Sequence, residues 1–306
     1  MDELKKVFID IGYTNEDFEI ITNAYPIANI KPETLTKKVK DIYNFLLSLG
    51  YSKEEVIKMT KRLPAIYGYS IESMKQKIED IIELGYSREE VIKMTKTSPS
   101  IYGLSIENMK QKIEDIVELG YNREEVIKMT KSLPTIYNYS IENMKQKIED
   151  IIELGYSREE VIKMTKSLPS IYGLSIENMK QKIEFYDVIG LHSLALIDPK
   201  QLMQSTKLSY ARYMFYKEKG ITITEENYRK LFVDQKQFEK SYGVTKEELI
   251  KKYPYNENNT IDPIVAANIL ARKKGVLDEI PKADEIERVS INLVQLTNEG
   301  ENKDDK

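Results

Sequence analysis

Residues 84–118 read LGYSREEVIKMTKTSPSIYGLSIENMKQKIEDIVE. With few changes the same 35 residues fill 49–83, 119–153 and 154–188. A fixed period of this length marks a solenoid, in which a supersecondary unit buries its apolar face against copies of itself. Within the unit the pattern is helical twice over. Ser87 stands three residues before Glu90, the spacing of a capping box, and Ser52/Glu55, Asn122/Glu125 and Ser157/Glu160 repeat it. Val91, Ile92, Met94 and Thr95 make the inner side of this first helix, called helix A below. Pro99 cannot continue it and opens a short 3₁₀ turn through Tyr102. Ser105 caps helix B, where Ile106, Met109, Ile113, Ile116 and Val117 recur at three- and four-residue spacing. Gly120 offers the left-handed conformation that ends helix B, with Tyr121 packing back on its last turn. The expected fold is all-α, a superhelical α-solenoid of helix–3₁₀ turn–helix repeats of about 35 residues.

The flanks read as diverged copies. Residues 11–48 carry Gly12-Tyr13-Thr14 and the bend proline Pro26, and Pro32 marks a small insertion before helix B. After 188, Ile189-Gly190 opens a unit with a shortened helix A that runs through Pro199, Leu202 and Ser205 to Gly220. A shorter unit follows to Gly243, and Val244–Pro254 begins one more that closes near Gly275. End units of a solenoid must show one polar face, so divergence there is expected. The solenoid is therefore placed at residues 1–275, with an acidic helix and tail at 276–306.

The 306 residues include no Cys, which removes disulfides and thiolate metal sites and fits a reducing compartment. The net charge is −4. Residues 284–306 hold seven acids and three bases, so the rest of the chain sums to zero. A neutral but highly charged body makes the placement of charge more informative than its total. No apolar run approaches the ~18 residues of a membrane span, and MDELKKVFID has neither a signal core nor a transit composition. A soluble, cytoplasmic monomer is the expectation; a processed organellar protein would carry the same features. No Gly-rich phosphate loop follows a strand, His192 is the only His, and no acid pair stands apart from the repeated charges. The sequence offers no catalytic, metal or cofactor signature.

Helix, proline bend, 3₁₀ turn, second helix and Leu-Gly-Tyr, every 35 residues over roughly 11–275, resemble the mitochondrial transcription termination factor (mTERF) repeat. That motif has a proline followed by leucine-type positions at heptad spacing. Here these positions are Pro99, Tyr102, Met109 and Ile116, with Tyr and Met in place of the usual leucines. The resemblance implies a curved superhelix of helix pairs. It also implies binding of double-stranded DNA, or in some members RNA, by side chains near the bend and the start of helix B.

Helix angles suggest which residues these would be. With Ile106 at 0° and about 100° per residue, Glu107, Glu114 and Glu118 fall on one flank of helix B, and Asn108 and Lys112 on the other. Ser73/Lys77, Asn143/Lys147 and Asn178/Lys182 take the same places. Stacked, they form a Lys/Asn ladder suited to phosphates, or ordinary solvated flanks whose Lys and Glu pair between units. Differences among the copies gather in the bend: Arg62, Thr97, Ser132, Ser167; Ala65, Ser100, Thr135, Ser170; Gly68, Gly103, Asn138, Gly173; and Tyr69, Leu104, Tyr139, Leu174. Such variation reads as a base-reading surface or as drift in an exposed turn, and only Arg62 is a strong guanine reader. Tyr67, Tyr102, Tyr137 and Tyr172 form a row read as core, with base stacking as the other reading. The expected function is nucleic-acid binding, duplex DNA favoured and RNA possible, acting by site occupancy in transcription. A protein–protein scaffold holding a peptide or partner is the alternative.

Overall fold

The computed structural model describes residues 2–255, and among these there is no strand. The contacts divide the chain into two units, Met1–Ile141 and Glu142–Lys306. The acidic tail assigned to 276–306 lies outside the described residues.

The first unit contains α1 (Asp2–Ile11), α2 (Asn15–Asn23), α3 (Pro32–Ser48), α4 (Lys53–Arg62), α5 (Ile71–Glu83), α6 (Arg88–Thr97), α7 (Ile106–Glu118) and α8 (Arg123–Ser132). The second contains α9 (Ile141–Glu153), α10 (Arg158–Ser167), α11 (Ile176–Val188), α12 (Leu194–Ile197), α13 (Thr206–Glu218), α14 (Gln235–Tyr242) and α15 (Lys246–Lys252). Five-residue 3₁₀ turns, each opened by proline, join helix A to helix B at Pro64–Gly68, Pro99–Gly103, Pro134–Asn138 and Pro169–Gly173. The protein is an all-α solenoid of helix–3₁₀ turn–helix repeats.

Local chemistry sets the boundaries. Both arms of the capping box form at Ser52/Glu55, Ser87/Glu90, Asn122/Glu125 and Ser157/Glu160, so two otherwise unpaired backbone donors are satisfied at each helix A. Positive φ occurs only at glycine among the described residues, and Gly50, Gly85, Gly120 and Gly155 stop successive B helices. Gly12, Gly190, Gly220 and Gly243 do the same at the diverged units, which makes them true copies of the repeat. Helix A of the unit opened by Gly190 is cut to the four residues of α12. The next unit has none. Its Ile221-Thr222-Ile223-Thr224 run is β-branched throughout, and the Asn227 side chain holds it as a turn by binding Thr222 O and Thr224 N. The last unit regains helix A as α15, with a Thr245/Glu248 capping box.

One buried polar link recurs between consecutive repeats of the first unit. The hydroxyls of Tyr13, Tyr51 and Tyr86 lie 2.5, 2.5 and 2.6 Å from Thr60, Thr95 and Thr130 Oγ1 of the next helix A. Each threonine donates its own proton to a helical carbonyl, so the tyrosine is the donor. Tyr67 and Tyr137 complete the contact at 2.8 and 2.6 Å from Tyr13 and Tyr86. Burial raises the pKa of these phenols and keeps them protonated donors. The Tyr67/Tyr102/Tyr137/Tyr172 row is thus core, and the repeat methionines, among them Met59, Met94, Met109 and Met164, are buried with it.

Candidate nucleic-acid interface

The helix B lysines have a structural destination. Lys77 Nζ donates to Leu104 O at 2.5 Å, Lys112 Nζ to Tyr139 O at 2.7 Å, and Lys147 Nζ to Leu174 O at 2.7 Å. Each of these carbonyls belongs to the residue just before the N-cap of the next helix B. Lys38 reaches Tyr69 O at 3.2 Å, and Arg212 reaches Val233 O at 2.7 Å, so the diverged units keep the same clasp. These side chains bridge repeats; the four lysines are half-buried and Arg212 is buried, where the sequence had placed the helix B lysines on an exposed flank. Lys182 departs further from that expectation. It is fully buried, its amine lies 3.0 Å from Ser209 Oγ, and the Phe185 and Phe232 rings stand 5.9 and 5.7 Å away. Burial pulls its pKa down to about 7. A phosphate has no access to it.

The asparagines fare differently. Asn108, Asn143 and Asn178 are exposed at the third position of their B helices. Arg62 is exposed at the end of α4 and donates to Thr97 O at 3.1 Å. Lysines not singled out by helix angle, Lys75, Lys110, Lys145 and Lys180, are exposed at the fifth position of each helix B. The signal for them was the order of charge along the helix rather than its angle.

That order separates two halves of each helix along the sequence, although in space Lys96 and Lys131 of the basic halves meet Glu55 and Glu90 of the acidic halves of the preceding repeat. In residues 84–118 the helix halves next to the bend hold Lys93, Lys96, Lys110 and Lys112 against Glu107, a net +3. The halves next to Gly-Tyr hold Glu89, Glu90, Glu114, Asp115 and Glu118 against Arg88, a net −4. The other three copies give +4, +3 and +3 next to the bend and −4, −4 and −3 next to Gly-Tyr. Helix A owes its share to its own macrodipole, which favours acids first and bases last. Helix B opens with an acid in its first turn, carries its bases at the fifth and seventh positions and ends on acids, so only its last turn runs against its macrodipole. Part of the basic charge is neutralised between repeats, since Lys96 and Lys131 pair with Glu55 and Glu90 at 2.8 and 2.7 Å. Lys93 and Lys110 remain exposed. The acidic halves of helix B and the next helix A are joined by the Arg123–Glu114 and Arg158–Glu149 pairs.

Variation in the bend has a packing cause at one pair of positions. Consecutive bends touch, and a Cβ built on Gly103 would lie 2.5 Å from the Tyr69 hydroxyl. Tyr in one repeat therefore goes with Gly in the next. Leu104, which has no hydroxyl, is followed by Asn138, and Tyr139 is followed again by Gly173. Gly103→Asn is expected to lower stability by about 1 kcal/mol, and a second change, Tyr69→Leu, to restore it. Urea midpoints of the two single variants and the double variant measure the coupling.

His192 is a packing residue of the second unit. Its ring stacks on Tyr156 at 4.2 Å, and Nδ1 lies 2.7 Å from Asp187 Oδ1. Among the described residues no His/Cys/Asp/Glu group is arranged to hold a metal ion, and no helix is long and apolar enough to cross a membrane.

Fold and charge together define an α-helical repeat protein with an exposed lysine near the bend end of each near-identical helix B. The mTERF family model matches residues 2–83 and 81–189, and the chain belongs to the mTERF family. No curated protein matches the chain. The family suggests a nucleic-acid-binding repeat protein.

Proposed function

We propose that the protein binds nucleic acid, duplex DNA first among the candidates, along the bends and the starts of the B helices, and acts by occupying its site in transcription or its termination. The observation that carries this reading is the charge order of helix B, with exposed lysines at its fifth position and acids in its last turn. The acids of the last turn oppose the helix macrodipole, so helix stability does not account for the order. It places Lys75, Lys110, Lys145 and Lys180 beside the N-termini of the B helices, whose backbone donors suit phosphate oxygens. Asn108, Asn143, Asn178 and Arg62 supply neutral and cationic donors near the same bends. Lys77, Lys112 and Lys147 each direct one proton to a carbonyl and add positive potential behind the exposed lysine of their own helix.

Titrations of random duplex, single-stranded DNA and RNA at several salt concentrations test the reading. Affinity is expected to fall steeply with salt, and a Lys75/Lys110/Lys145/Lys180→Gln variant to lose about three to four from the magnitude of the log–log slope while keeping its helical signal. Equal salt slopes for wild type and variant would sink the assignment. The acidic halves next to Gly-Tyr favour a second reading, a scaffold for a basic protein partner. That reading gains if none of the three nucleic acids binds at low salt.

A further inference from the structure

We infer that the junction between the repeat at 154–188 and the shortened repeat opened by Gly190 is a hinge, at which residues 189–255 part from the preceding repeat in a local opening while both sides keep their helices. The hinge does not depend on the proposed function.

The shortening takes away side chains that join the other repeats. Counted back from the bend proline Pro199, α12 matches the last turn of helix A, so Leu194, Ala195 and Leu196 stand where 84–118 has Met94, Thr95 and Lys96. Thr95 and Thr130 accept the hydroxyl proton of the preceding repeat's Tyr51 and Tyr86. Ala195 has no oxygen to offer, and Tyr156 donates to His192 O at 3.0 Å. Lys96 and Lys131 reach back to Glu55 and Glu90 at 2.8 and 2.7 Å. Leu196 has no charge for Glu160, the counterpart of those acids. Arg123 and Arg158 open their A helices and pair with Glu114 and Glu149 of the preceding helix B. The missing turn removes that arginine, and Oε1 of Glu184, at the place of Glu114 and Glu149, is buried without a hydrogen bond.

Polar atoms enter the core at the same junction. Tyr186, Gln201 and Ser209 take the places of Ile116, Ile101 and Met109. The Tyr186 hydroxyl and Gln201 Oε1 are buried without a hydrogen-bond partner. Water satisfies such groups once the junction opens, so their burial works against the closed state. Val188, Ile197 and Met203, where 84–118 has Glu118, Thr97 and Gly103, are 42, 49 and 56 % exposed and add little to what holds the junction shut. The Tyr156–His192 stack at 4.2 Å, the Lys182–Ser209 bond and the buried Leu194 close it. An interface with fewer links and unsatisfied polar atoms is the first of a series to open, and the sides it joins then move as bodies.

The chain has no Cys, so a single introduced thiol reports opening directly. Ala195→Cys and Thr95→Cys place one at the same fully buried position of the two kinds of junction. The full chain is treated with N-ethylmaleimide at neutral pH, and modification is followed by mass spectrometry with and without low urea. Ala195→Cys is expected to react about thirtyfold faster, with a urea dependence far shallower than that of global unfolding. Thr95→Cys also takes the acceptor from Tyr51, which works against this contrast. Leu194→Cys and Met94→Cys, buried one residue earlier, give the same comparison if either of the first pair fails to fold. Equal rates, or a urea slope at the 189–220 repeat as steep as global unfolding, overturn the hinge. Adding Leu196→Lys offers Glu160 the missing amine and should slow modification of Ala195→Cys about fivefold. A rate that does not fall overturns the assignment of the hinge to the lost links.

Discussion

A Lys77→Met, Lys112→Met, Lys147→Met variant is expected to lose about 3 kcal/mol of stability, with the urea midpoint as the measure. Each substitution keeps the apolar stem and removes a charge-assisted bond to the carbonyl before the next helix B. Such bonds contribute roughly 1.5–3 kcal/mol when buried, and about 1 kcal/mol is the fair figure for amines that are half-exposed. The carbonyls of Leu104, Tyr139 and Leu174 are then left to water. A matching triple substitution at the exposed Lys75, Lys110 and Lys145 should move stability by no more than about 0.5 kcal/mol per site. The two lysine sets are two residues apart in the same helices, so the contrast separates inter-repeat clasping from surface charge. Equal losses in the two variants would remove the clasp from the account of the fold.

This division shows what the sequence made legible. The repeat boundaries, capping boxes, proline bends and terminating glycines are local chemistry, decided within four or five residues, and all stand where the pattern put them. The destination of Lys112 is different in kind. A helix angle gives the direction of its stem but not what lies at its end, which is a carbonyl 27 residues on, in another repeat. Pairing of Tyr69 with Gly103 was visible only as unexplained variation, because the contact that couples them crosses from one bend to the next. Charge order along helix B needed no structure at all. Lys75, Lys110, Lys145 and Lys180 recur in it at the fifth position of each copy.

Lys182→Met is expected to stabilise the protein at neutral pH, and the gain should vanish in alkali. Between Gly190 and Gly220 the repeat is five residues shorter than between Gly155 and Gly190, and here the lysine meets Ser209 rather than a carbonyl. Ser209 Oγ also donates to Ser205 O, so it keeps a partner when the amine is removed. The amine is fully enclosed, and desolvation lowers its pKa from 10.5 to about 7. Between those values the unfolded chain holds a proton that the folded chain has released, so wild-type stability rises with pH across the window. The penalty is fully developed below about pH 7 and absent above about pH 10.5. Methionine fills a similar volume with no charge to desolvate, at the loss of one hydrogen bond and two ring contacts. A net gain of about 3 kcal/mol at pH 7, shrinking by up to ~1.4 kcal/mol per pH unit toward pH 10, follows from the size of the shift. Urea midpoints of wild type and variant at pH 7, 8.5 and 10 test it. A difference that stays constant with pH would mean that Lys182 carries its charge in the folded core, held there by Ser209 and the two rings.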